Sequence, residues 1–190
     1  MTDHPETTSC EVPDASARDD RRHRRFDPAT FSWDGVTPQV YKLGGGSAPG
    51  TGWRDVLRHT LLGGGGEPIA FQLRYFEVAP RGYSSLEKHL HVHSVVVLRG
   101  RGRVIVGHEV FDVEPFDLVY VPSGTPHQFV NNGEEPFGFL CPVDLDRDPP
   151  QPLSGDELRS LLSDSRVRDA IRVEPPDLSD SPLPLGERVG

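Results

Sequence analysis

The chain is poor in sulfur and in ammonium groups. Of its 190 residues two are cysteine and one is methionine, and Lys42 and Lys88 are the only lysines. Cys10 stands in a polar stretch and Cys141 in an apolar one. Such unlike contexts argue against a disulfide framework and for a reducing compartment, so a cytoplasmic setting is expected. No apolar run approaches the roughly 20 residues that cross a bilayer. The opening residues, Met1 to Glu6, lack the apolar stretch of a signal peptide. A net charge of −9 leaves no large cationic surface for phosphate backbones. The one basic run, Arg21-Arg-His-Arg-Arg25, follows Asp19 and Asp20 in a leader rich in Pro, Ser and Asp, and reads as a solvated tail. Neither nucleic acid nor a membrane is expected as a partner.

Helical patterning is scarce as well. Ser154-Gly-Asp-Glu157 is a capping box ahead of Leu158, Leu161 and Leu162, and 166–171 continues the helical segment after a break. Elsewhere glycine and proline punctuate short runs rich in β-branched and aromatic residues, at 40–43, 53–62, 69–79, 94–98, 103–106, 109–113, 118–121, 127–130 and 137–143. The glycine clusters at 44–46 and 63–66 read as loops. Many short strands between turns predict an all-β sandwich or barrel. The expected layout is a disordered leader over 1–25, a barrel with extra N-terminal strands over 26–150 (its core about 68–143), a short helical segment over 151–173, and a disordered tail over 174–190.

The chemistry concentrates in Glu87-Lys-His89-Leu-His91-Val-His93 and in His127, which follows the turn Pro122-Ser-Gly124. Side chains along a strand alternate faces, so Glu87, His89 and His93 share a parity and can enter one cavity, with His127 supplied by a second hairpin. Three imidazoles and one carboxylate suit a single divalent transition metal: Mn, Fe, Co, Ni, Zn or Cu. A competing register uses His89, His91 and His127, but it leaves a valine, Val95 or Val96, at the fourth position, and valine cannot ligate. In the first register His91 falls in the turn between strands, either exposed to solvent or acting beside the metal as an acid/base.

These residues carry a resemblance. The chain is similar over roughly 68–143 to the cupins, small jelly-roll β-barrels. Glu87 and His89 fall at the two histidine positions of the first cupin motif and His93 at its glutamate, between Gly82 and Gly100. Phe116, Pro122, Gly124, His127 and Asn131 follow the second motif, with Phe116 in place of a glycine. The permuted order resembles the small manganese cupins with four histidine ligands, Glu87 standing for the first. The resemblance implies a cupin-type jelly roll and a mononuclear metal site with open positions, although some cupins have lost the metal. It also implies a homodimer paired through the extra strands.

Parity assigns the cavity walls. Phe137, Phe139 and Cys141 share a face of the last strand, which closes the cavity in the resembling cupins, and Phe129 points with His127. Phe76, Phe129, Phe139 and Cys141 are thus candidate substrate-pocket residues, and Cys141 also reads as a small buried hydrophobe. Arg74 shares the parity of Phe76. If buried, it needs a partner, either a substrate carboxylate or Glu77; an exposed sheet face suits it equally. Arg74 and His91 are the candidates for orienting a small organic substrate. Two chemistries follow. One is an oxygen-using, dioxygenase-like oxidoreductase on Mn or Fe. The other is a redox-neutral lyase, isomerase or rearrangement enzyme, including nitrogen–nitrogen bond formation, that tolerates Zn. A non-catalytic ligand-binding module is the third reading.

Overall fold

A computed structural model of the protein describes residues 22–42 and 52–173. Cys10, the glycine cluster at 44–46, most of the leader and the tail from 174 lie outside the described residues. Eleven strands and two helices run in chain order: β1 Phe26–Asp27, β2 Ser32–Trp33, β3 Gln39–Val40, β4 Arg54–Leu62, β5 Phe71–Tyr83, β6 His93–Arg99, β7 Gly102–Val106, β8 Glu109–Val113, β9 Leu118–Val121, β10 His127–Val130, β11 Phe137–Asp144, α1 Gly155–Ser163 and α2 Ser165–Ala170. β4 to β11 sit where alternation and turn residues put them, whereas β1 and β2 lie in a stretch that carried no strand reading. β5 is the main departure, because it runs past Ala79 to Tyr83 and so reaches β10 through the pair Tyr83–Val130. Among the described residues, no helix is long and apolar enough to cross a membrane.

Nine strands form one antiparallel sheet in the order β8-β7-β10-β5-β11-β6-β9, with β4 added to β5 and β3 to β4. The sheet curls because one face of β4 to β11 is largely apolar and has to be covered. Val56, Phe76, Val95, Val104, Val113, Val119, Phe129 and Phe139, one from each strand, meet in a single buried cluster. This is the all-β jelly-roll architecture expected from the sequence. The intervening residues form a second cluster on the other face. Tyr83, Ile105 and Val130 pack there with Leu86 and with Leu161, Val167 and Ala170 of the helices.

The helical segment is held by caps. Ser154 and Glu157 form the reciprocal capping box, and Asp164 ends α1 and caps α2. Buried Gln128 pins the segment to the barrel: its amide donates to the carbonyls of Ser84 and Arg172, both at 2.8 Å, and its oxygen accepts from Arg172 N at 2.8 Å. At the other end, the β1–β2 hairpin lays Phe31 and Trp33 on Tyr75, with ring centroids 5.3 and 5.1 Å away. Arg24 of the basic run approaches Glu67 at 4.0 Å.

Candidate metal centre

The two halves of the site are joined by backbone. Glu87 and His127 form an isolated antiparallel bridge, with His127 N donating to Glu87 O at 2.9 Å and Glu87 N to His127 O at 3.2 Å. Gly124 N donates to His89 O at 2.7 Å, so the Pro122-Ser-Gly124 turn is tied to the histidine segment as well. The expected strand alternation from Glu87 to His93 does not hold. The backbone bends at Leu90 and His91, because the Asp148 carboxylate accepts from both their amides, at 2.7 and 3.0 Å. His93 then opens β6 opposite Val121. The bend turns His91 inward, where period-two geometry would have pointed it away.

His89, His93 and His127 are all buried, and each offers a ring nitrogen that lies within 4.8 Å of the others. Each Nδ1 is already engaged: His89 with the carbonyl of His91 at 2.7 Å, His127 with the carbonyl of Thr125 at 2.9 Å, and His93 with Cys141 Sγ at 3.1 Å. That leaves the three Nε2 atoms as the free donors and fixes the rings, the usual outer contact of metal-binding imidazoles. Burial, followed by the neighbouring imidazoles, lowers His93 to about 2. Burial also lowers His127 to about 4, against the Thr125 carbonyl. Burial and the nearby His91 lower His89 too. Neutral, oriented and convergent nitrogens fit a divalent transition metal.

Glu87 is placed differently. Its carboxylate lines the same cavity but lies outside the group of three, and is engaged by Lys42 and by Ser85 Oγ, the latter at 2.5 Å. Tyr41 Oη stands 3.4 Å from the same Ser85 hydroxyl; burial and the Glu87 charge push its hydroxyl well above the phenol range. Sequence reading gave Lys42 and Tyr41 no place in the site, because both lie outside the two motifs.

The cavity, about 490 Å³, brings together the expected wall residues Phe76, Phe129, Phe139 and Cys141 with His89, His91, His93 and His127. Phe129 stacks on Phe139 with centroids 4.5 Å apart, and Phe139 lies 5.6 Å from Phe76. Arg74 also faces this cavity, buried at 8 % exposure, which settles its orientation. Glu77 is not its partner. Three residues on along the strand, Glu77 sits on the opposite face, where it accepts from Tyr75 Oη at 3.0 Å and Arg99 Nη1 at 2.8 Å. Arg74 Nη2 instead approaches Cys141 Sγ at 3.6 Å. Arg58, Arg147 and Asp148 line the cavity too and were missed, lying on an added strand and a loop that carry no motif.

A model of the Cupin domain matches residues 74–143. A 1-methylthio-D-xylulose 5-phosphate methylsulfurylase from Rhodospirillum rubrum is 42% identical over 153 residues, 80% of this chain and 94% of its own. The chain belongs to the cupin family. A cupin 2 conserved barrel domain protein from Rhodopseudomonas palustris is 41% identical in sequence, superposes with a TM-score of 0.70, and is covered over 79% of this cupin and 99% of its own chain. A cupin-2 domain protein from Rhodospirillum rubrum follows at 40% identity and a TM-score of 0.66, over 77% of this cupin and 96% of its own chain.

Proposed function

We propose that this cupin is a metal-dependent enzyme that removes a methylthio group from a small ketose phosphate, with Cys141 receiving the group. The observation that carries the reading is the Cys141 thiol. It is a buried free cysteine in the cavity wall, 3.1 Å from Nδ1 of a candidate metal ligand. The relative from Rhodospirillum rubrum, named for a methylthio ketose phosphate, covers most of this chain and supports the same substrate class.

A divalent metal on the three histidines supplies Lewis acidity for a substrate carbonyl oxygen. The chain's own residues do the rest. When His93 Nε2 serves as ligand, its Nδ1 carries hydrogen and donates to Cys141 Sγ, while Arg74 Nη2 faces the sulfur from another strand. The thiol proton passes to His91 as the sulfur attacks the methylthio sulfur, and the carbon–sulfur bond breaks with its electron pair left on the carbon beside the carbonyl. A proton then closes that carbon. His91, whose Nδ1 is held by Asp148 at 2.7 Å, is the nearby proton donor. Cys141 ends as a methyl disulfide and the substrate carbon as a methyl group, so the thiol is oxidised as the carbon is reduced. A second thiol from solution displaces the methylthio group and restores Cys141. Phe76, Phe129 and Phe139 keep water from the reacting carbon.

This chemistry needs no dioxygen, and it departs from the dioxygenase-like reading that the bare histidine cluster suggested. The test is anaerobic. Protein loaded with Mn, Fe or Zn is mixed with 1-methylthio-D-xylulose 5-phosphate and a small thiol. Loss of the methylthio group, with a methylthio adduct on Cys141 seen by mass before the thiol is added, is the expected result. Failure of all three metal forms to consume the compound overturns the reading.

A further inference from the structure

Three guanidinium groups line one cavity without an ion pair to either of its carboxylates. Arg58 of β4 stands opposite Phe76 of β5 in the ladder, and Thr60 stands opposite Arg74. Arg58 and Arg74 are therefore diagonal neighbours on the inner face. Arg147 follows β11 and is held toward them, donating to the Asp144 carbonyl at 2.8 Å and to Gln72 Oε1 at 3.3 Å; Gln72 shares the parity of Arg74. All three line the cavity.

None of the three forms an ion pair among the described residues. The two carboxylates on the cavity wall are taken, Glu87 by Lys42 and Asp148 by His91. Arg74 is 8 % exposed and its Nε has no hydrogen-bond partner, and the buried Nε of Arg58 has none either. A buried guanidinium without a partner is costly, and a protein keeps one where a ligand supplies the missing charge. The groups also feel one another: burial and then the Arg74 charge lower both Arg58 and Arg147. In a chain of net charge −9, such a cluster is placed against the general field.

We propose that Arg58, Arg74 and Arg147 form a subsite for a phosphomonoester dianion, the phosphate end of the substrate. Planar guanidinium forks match phosphate oxygens two at a time, and three cations suit a doubly charged group better than a carboxylate. Arg58 already spends one arm on Gln39 Oε1 at 2.9 Å, which fixes its plane without neutralising it. Arg74 has a double position, against the phosphate and against Cys141, and so sets the distance between the anchored end and the reacting sulfur. The subsite rests on the proposed function only for the molecule that carries the phosphate.

The experiment is calorimetric titration of the metal-loaded protein with inorganic phosphate at constant ionic strength, with Arg58→Gln and Arg147→Gln beside the wild type. Both sites are half-buried, so these variants keep the fold where a change at Arg74 risks losing it. Each substitution is expected to weaken phosphate about tenfold, the loss of one charge-assisted contact. It should raise KM for the methylthio ketose phosphate and leave kcat near wild type. No phosphate binding by the wild type, or equal binding by both variants, overturns the subsite. Turnover with an unchanged KM in both variants removes the subsite and leaves the proposed function standing. Arginine-dependent phosphate binding without turnover by the wild type does the reverse.

Discussion

The ring of His91 lies flat on the ring of His89, with centroids 3.5 Å apart and planes 7° from parallel. The contact is a consequence of one carboxylate. Asp148 accepts from the amides of Leu90 and His91 and from His91 Nδ1, and those bonds hold its own carboxyl well below the usual range. The clamped bend delivers the His91 carbonyl to His89 Nδ1 at 2.7 Å, so a loop residue orients a candidate metal ligand through its neighbour.

Asp148→Ala should therefore weaken the metal site without touching it. Loss of such outer contacts costs 10- to 100-fold in affinity at comparable sites, and about tenfold is expected here. Competition against a chromogenic chelator measures it. Affinity equal to wild type would mean that the bend holds itself.

His93→Ala removes one of the three convergent buried nitrogens. Metal content should fall to about a tenth of that in wild type or less, with the barrel retained by circular dichroism. Stoichiometric metal in this variant would show that the triad is not the ligand set.

Cys141→Ser separates binding from chemistry. The sulfur lies outside the nitrogen triad, so metal content should stay near one per chain while methylthio transfer disappears. Residual transfer at the wild-type rate would remove Cys141 from the mechanism.

Phe116 stands with φ +79° and 84 % exposed, where the family pattern has glycine. A left-handed backbone costs a non-glycine residue roughly 1–2 kcal/mol, and the exposed ring recovers little of it. Phe116→Gly should raise stability by about 1 kcal/mol after the extra unfolded-state entropy of glycine is deducted, seen as a higher urea midpoint. Phe116→Ala should gain almost nothing. Gly124, at φ +70° with open space around its Cβ position, shows the same turn requirement met by glycine.

Acid should destabilise the metal-free protein. His93 and His127 titrate at about 2 and about 4 when folded, below the imidazole value of about 6.5 when unfolded. The unfolded chain binds more protons in that interval, so stability rises with pH across it. The contribution is complete above about pH 6.5 and drains as pH falls, through about pH 4 for His127 and lower for His93. Between about pH 7 and about pH 5 the loss is on the order of 2–4 kcal/mol. A urea midpoint that stays flat over this range in chelator-treated protein contradicts it.

Most of the barrel was legible in the chain because its signals are local. Alternation places β6 to β11 to within a residue or two, and Ser154 with Glu157 marks the start of α1. His89, His93 and His127 were legible as a set because a turn and a short run of histidines are sequence features in themselves. The inward turn of His91 was not, since it depends on Asp148, 57 residues away. The same holds for the engagement of Glu87 by Lys42, and for the three arginines, which come from β4, β5 and the loop after β11. The sequence by itself determined β4 to β11, the helical segment, the histidine cluster and the apolar walls, because strand parity and turn chemistry act between near neighbours. Only the tertiary structure decided which charges share the cavity, because pairing across a curled sheet brings together residues that no period along the chain connects.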